Sequence, residues 1–144
     1  MTAQQFFEWV RECAAEARAM DSAQHTGASP HRSGGGMVAK AHAVADPVGA
    51  AVVAKVEVEE RMTRHRARLA RVVERGRQVA YLVGRAMGQD VAAVLVSHYV
   101  ELYDLGVMAM DLHVSMSTIY RMRQRAFEYV DCVGIVRDDE KLEW

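Results

Sequence analysis

From Ala50 to Met87 the chain contains no proline and only two glycines, Gly76 and Gly84, and this long helix-permissive stretch constrains the fold more than any motif. Asp46-Pro47 reads as its start. The aspartate can accept a hydrogen bond from the free N–H groups of a first turn, and proline in the first helical position loses nothing. Val52, Val56, Met62, Leu69, Val72, Val73, Val79, Val83 and Met87 fall close to a seven-residue seam. Unbroken to Gly88, such a helix would be on the order of 60 Å long at ~1.5 Å per residue, with Gly76 and Gly84 as its expected bending points. A 144-residue chain is one ordinary domain or two very small ones, and its C-terminal part alone could not cover so long a seam. The seam needs another helix of the chain, a second copy, or both, and a homodimer or higher oligomer is expected.

One partner is evident at the N-terminus. Phe6, Trp9, Val10, Cys13, Ala17 and Met20 recur at spacings of three and four among Glu8, Arg11, Glu12, Glu16 and Arg18, which predicts an amphipathic helix from a Thr2 cap to Met20. Residues 21–45 then read as a loop, because Thr26-Gly27-Ala28-Ser29-Pro30 and Ser33-Gly34-Gly35-Gly36 cannot continue a helix cheaply. The three glycines do not make a phosphate loop, since no Gly-Lys-Ser/Thr follows them and no apolar strand precedes them.

Charge and chemistry narrow the function. Eighteen Lys plus Arg against nineteen Asp plus Glu give a net charge of -1, so only the distribution of charge can point to nucleic acid. Nine basic residues between Lys55 and Arg85 face four glutamates. They suit either a solvated coiled-coil exterior with pairs such as Glu57 to Arg61, or nucleic-acid contact. The six histidines form no HxxxH or HExxH pattern, and no metal or other cofactor is expected. Ser115, Ser117 and Thr118 lack a sequence context that supplies a base or oxyanion hole, so the chain does not read as an enzyme. Cys13 and Cys132 have no paired spacing, and the apolar stretch from Met87 to Val100 is too short for a bilayer, so a cytoplasmic location without a membrane partner is expected.

After Gly88, Asp90 is expected to cap a helix through Val91, Val94, Leu95, His98, Tyr99 and Leu102. Leu105, Met108, Ala109 and Leu112 mark a short second helix, His113-Val114 a turn, and Ser115 the cap of a third helix buried through Ile119, Met122, Ala126 and Val130. This is the pattern of a helix-turn-helix. Its last helix leaves Met116, Ser117, Tyr120, Arg121, Arg123, Gln124 and Arg125 outside, residue types that enter a major groove, pair with guanine or adenine, and hold phosphates. The same geometry also serves protein-binding modules.

The stretch VLVSHYVELYDLGVMAMDLHVSMSTIYRMRQRAF, residues 94–127, resembles the fourth region of bacterial sigma factors. It is similar also to small phage and prophage regulators of the ArpU and RinA type. That likeness covers nearly the whole chain: TAQQFFEWV, the SGGG break, DPVGAAVVAKVEVEERM, a long charged helix and the trihelical end. The resemblance implies an all-α protein with a helical hairpin or coiled coil over 1–88, a sigma-like helix-turn-helix domain over 89–131 and a tail over 132–144. It further implies double-stranded DNA as partner, read by Met116, Ser117, Tyr120, Arg121 and Gln124 with Ser115 as the cap, and the outward Arg123 and Arg125 complete the candidate DNA-binding set. Two alternatives remain: a packaging-initiation protein like the small terminase subunit, and a sigma-region mimic that binds RNA polymerase without reading DNA.

Overall fold

The computed structural model describes residues 1–26, 47–139 and 141, and among these the chain is all-α. The glycine- and serine-rich part of the expected loop, the Asp46 cap and most of the last five residues lie outside the described residues.

Helix α1 spans Ala3–His25. Thr2 closes its start reciprocally: its hydroxyl accepts from the Gln5 N–H, and the Gln5 side chain accepts from the Thr2 N–H at 3.0 Å. The helix runs past the expected end at Met20, because residues 21–25 contain neither glycine nor proline and Asp21 finds Arg66 at 3.6 Å. Thr26 ends it, its hydroxyl donating to the Ser22 carbonyl at 3.0 Å.

Helix α2 spans Pro47–Met87 without a break. Its inner glycines serve packing. They are places where another segment comes too close for a side chain: a Cβ on Gly76 would lie 2.5 Å from Val10 Cγ1, and one on Gly84 would lie 2.6 Å from the Ala92 methyl. Each glycine costs about 1 kcal/mol of helix propensity relative to alanine, and the close packing it permits offsets that.

Helix α3, Gln89–Leu95, runs into a single π-type turn over Val96–Val100. Gly88, not Asp90, occupies its cap position, at a φ of 112° that only glycine adopts without strain. Asp90 lies instead in the first turn, where its charge favours the helix N-terminus. Helices α4, Leu105–Asp111, and α5, Met116–Val133, complete the chain.

Two apolar clusters hold these helices. The larger draws Phe6, Phe7 and Val10 from α1, Val72, Val79 and Val83 from α2, Leu95 and Tyr99 from the middle, and Phe127 and Val130 from α5. It crosses residue 88, so the hairpin and the C-terminal helices share one core. Phe7 is its pivot, with ring centroids 5.3 Å from Tyr99 and 5.8 Å from Phe127. The smaller cluster, Val94, Leu105, Met108, Ala109 and Ile119, joins α4 to α3 and α5. After Gly134 closes α5 at a φ of 68°, Ile135 and Val136 turn back against the large core. An Arg75 N–H donates to the Ile135 carbonyl at 2.9 Å, and the Ala3 N–H donates to Asp131 at 2.6 Å.

The long helix is only half covered. Leu69, Val72, Val79 and Val83 are buried, whereas Val52, Val56 and Met62 of the same seam are 56%, 47% and 48% exposed. Among the described residues no helix is long and apolar enough to cross a membrane.

Candidate nucleic-acid interface

Asp104 starts α4 by accepting the Gly106 N–H at 2.7 Å. Leu105, Met108 and Ala109 face inward. The turn that follows is compact: the His113 N–H donates to Met110 at 3.2 Å and the Val114 N–H to Ala109 at 3.0 Å. His113 takes the left-handed conformation at a φ of 53°, which the turn demands and which glycine would adopt with less strain. Ser115 then caps α5 by accepting the Thr118 N–H at 3.3 Å, and its hydroxyl lies 3.0 Å from those of Ser117 and Thr118. Ile119 is completely buried, which fixes the rotation of α5 on α4.

That rotation sorts the eight residues singled out from the sequence. Ser117, Arg121 and Gln124 centre the exposed face, with Tyr120 and Met116 beside them. Arg121 holds its own helix through Nε to the Ser117 carbonyl at 3.4 Å, and Gln124 Nε2 donates to Glu128 at 3.1 Å. Arg125 stands at one edge, where it and Arg121 border a shallow groove of about 250 Å³ over Met87, Val91, Thr118 and Met122. Arg123 departs from expectation. It is half-buried, four residues after Ile119 and four before Phe127, with its guanidinium 5.1 Å from the Tyr120 ring centroid. Two residues of α5 apart on a 3.6-residue period, Arg123 and Arg125 cannot share a face. Thr118, three residues before Arg121, lines the same groove.

Helix α4 contributes no basic side chain. Its flanks are Asp104 and Asp111, and its outer surface carries Val107 and Met110, the latter 76% exposed. Positive charge on this side of the molecule therefore resides in α5.

Behind the interface, His98 joins three elements. Its Nδ1 bonds the Tyr103 carbonyl at 2.9 Å, which assigns the ring proton to Nδ1 and leaves Nε2 to accept from Arg11. The Arg11 N–H also lies 3.0 Å from Nδ1, but a protonated Nδ1 cannot accept it. Leu102, at a φ of 65°, lies between His98 and its Tyr103 partner, so the bond secures a strained reversal of the chain. Burial, followed by the charges of Arg11 and Arg123, holds His98 below its ordinary value of 6.5, against the opposing effects of the Tyr103 bond and Asp104. The folded state favours the neutral ring, so its stabilisation is complete above pH 6.5 and is lost as pH falls below that and through the lowered folded value. Urea denaturation midpoints should therefore fall from pH 7 to pH 5 more steeply in the native chain than in His98→Gln. Parallel slopes would show that His98 is not responsible.

Among the described residues no group of three or more His, Cys, Asp or Glu side chains could hold a metal ion, and burial pushes the Cys13 thiol up, away from reactivity. Comparison of the chain with protein-family models, with curated proteins and with solved structures finds no match.

Proposed function

We propose that the chain is a self-associating, sequence-specific DNA-binding regulator of phage or prophage genes, in which α4, the turn and α5 act as a helix-turn-helix. The observation that carries the proposal is the outer face of the first turns of α5. Ser117, Tyr120, Arg121 and Gln124 are exposed together on a helix whose rotation is held by Ile119 and whose start is held by Ser115. In this reading those four side chains meet base edges, while Arg125 at the edge of the face meets a phosphate wall of the groove. The phage assignment rests on the resemblance of the order of parts along the chain.

Selection from a randomised duplex pool, followed by fluorescence anisotropy at two salt concentrations, tests it. A preferred site should emerge. Arg121→Ala should cost about 1–3 kcal/mol on that site and relax the preference at one base position, whereas Arg125→Ala should weaken all duplexes alike and lower the salt slope by about one. No enrichment, with both variants behaving as the native chain, would overturn DNA binding.

That outcome would favour a second reading. Tyr103, Val107, Met110, Met116 and Tyr120 are exposed, and the lack of basic residues on α4 suits a protein surface better than a phosphate backbone. A sigma-region mimic that docks on RNA polymerase would use this patch.

A further inference from the structure

Helix α2 carries apolar residues on two faces. Its buried residues, among them Leu69, Val72, Val79 and Val83, form one arc turned toward the rest of the molecule. On the opposite side, at ~100° per residue, runs a second stripe of Val53, Val56, Glu60, Thr63, Ala67 and Ala70, spaced three and four residues apart and exposed throughout. Val53 and Val56 are 58% and 47% exposed. The Thr63 hydroxyl is satisfied by the Glu59 carbonyl at 2.9 Å, so the methyl group is what Thr63 has to offer the stripe. A shallow groove of about 400 Å³ lies along it, bordered by Val56, Glu59, Glu60, Thr63 and Arg64. The stripe shares Val56 with the seam legible in the sequence but leaves it toward the C-terminus, where the seam's Leu69, Val72, Val79 and Val83 are already covered.

We propose that the second stripe seats a second copy of the chain, the two α2 helices lying antiparallel and crossing between Arg61 and Met62. Volume and charge select this arrangement. Antiparallel, Val53 meets Ala70 of the other copy, Val56 meets Ala67, and Glu60 meets Thr63, so each large side chain lies on a small one and no glutamate faces its equivalent. Glu59 then lies opposite Arg64. A parallel pair in register would set Ala67 on Ala67, leaving a void, and Glu60 on Glu60 inside the seam. The proposal deepens the self-association named above and does not depend on α5 reading DNA.

Sedimentation equilibrium of the full chain should show a dimer. Val56→Asp, at a residue that one copy leaves in solvent, should keep the far-UV circular dichroism and thermal midpoint of a folded protein at low concentration while raising the dimer dissociation constant at least about a hundredfold, because both copies carry the change. Orientation is read by Val53→Cys and Ala70→Cys, each in a Cys132→Ser background. An interchain disulfide should form when the two variants are mixed and oxidised, and not with either alone. A monomeric native chain, as expected if residues 27–46 of the same chain occupy the stripe, would overturn the proposal. So would a dimer indifferent to Val56→Asp, or one that cross-links through Val53→Cys alone. A dimer that cross-links as expected but selects no DNA would leave this proposal standing and remove the DNA reading.

Discussion

Replacing Phe7 with alanine is expected to cost about 3–5 kcal/mol, a large part of the ~5–15 kcal/mol that separates a folded domain from its unfolded chain. Phe7 has no solvent exposure, and its ring lies against Tyr99 and Phe127, with Phe6 a further 5.3 Å neighbour. Truncation removes apolar surface from the core and also leaves a cavity that four elements would have to move together to fill. Because α1, α2, the π-type turn and α5 share this cluster, the loss should appear as one cooperative transition shifted as a whole. Guanidinium denaturation followed by tryptophan fluorescence and by circular dichroism provides the check. A cost below about 1 kcal/mol, or two separated transitions, would mean that the N-terminal hairpin folds independently of the C-terminal helices.

Ile119→Ala is expected to cost about 2–5 kcal/mol by the same physics, but with a different distribution. Ile119 belongs to the smaller cluster with Val94, Leu105, Met108 and Ala109, and the seven residues of α4 are joined to the rest of the molecule chiefly through it. Native-state hydrogen exchange should therefore show the amides of Leu105–Asp111 opening at much lower free energy, while those of α1 and α2 lose little. Under the proposed function the variant should also bind DNA less well, since the rotation of α5 depends on this contact. Uniform loss of protection across α1, α2 and α4 would show that the two clusters unfold as one.

The all-α class and most helix starts were legible along the chain because they depend on local signals. Thr2 and Ser115 cap because their hydroxyls reach backbone N–H groups two or three residues on, and apolar spacing of three and four writes itself into any window of sequence. The order of α4, turn and α5, and the outward placement of Ser117, Tyr120, Arg121 and Gln124, were legible for the same reason. Where long-range packing decides, the sequence was silent or ambiguous. Gly76 and Gly84 read as bending points along the chain, and only the positions of Val10 and Ala92 show that another segment packs closely against each. Phe7, three residues before Val10, shares the buried face of α1, but its contact with Phe127 exists only once α5 packs there. Arg123 reads as exposed because it is charged, yet it lies four residues after Ile119 and four before Phe127 and is half-buried, with its guanidinium over the Tyr120 ring. Helix periodicity says which residues share a face. Which face is covered, and by what, depends on contacts between residues far apart in the chain, and these exist only after the backbone has folded.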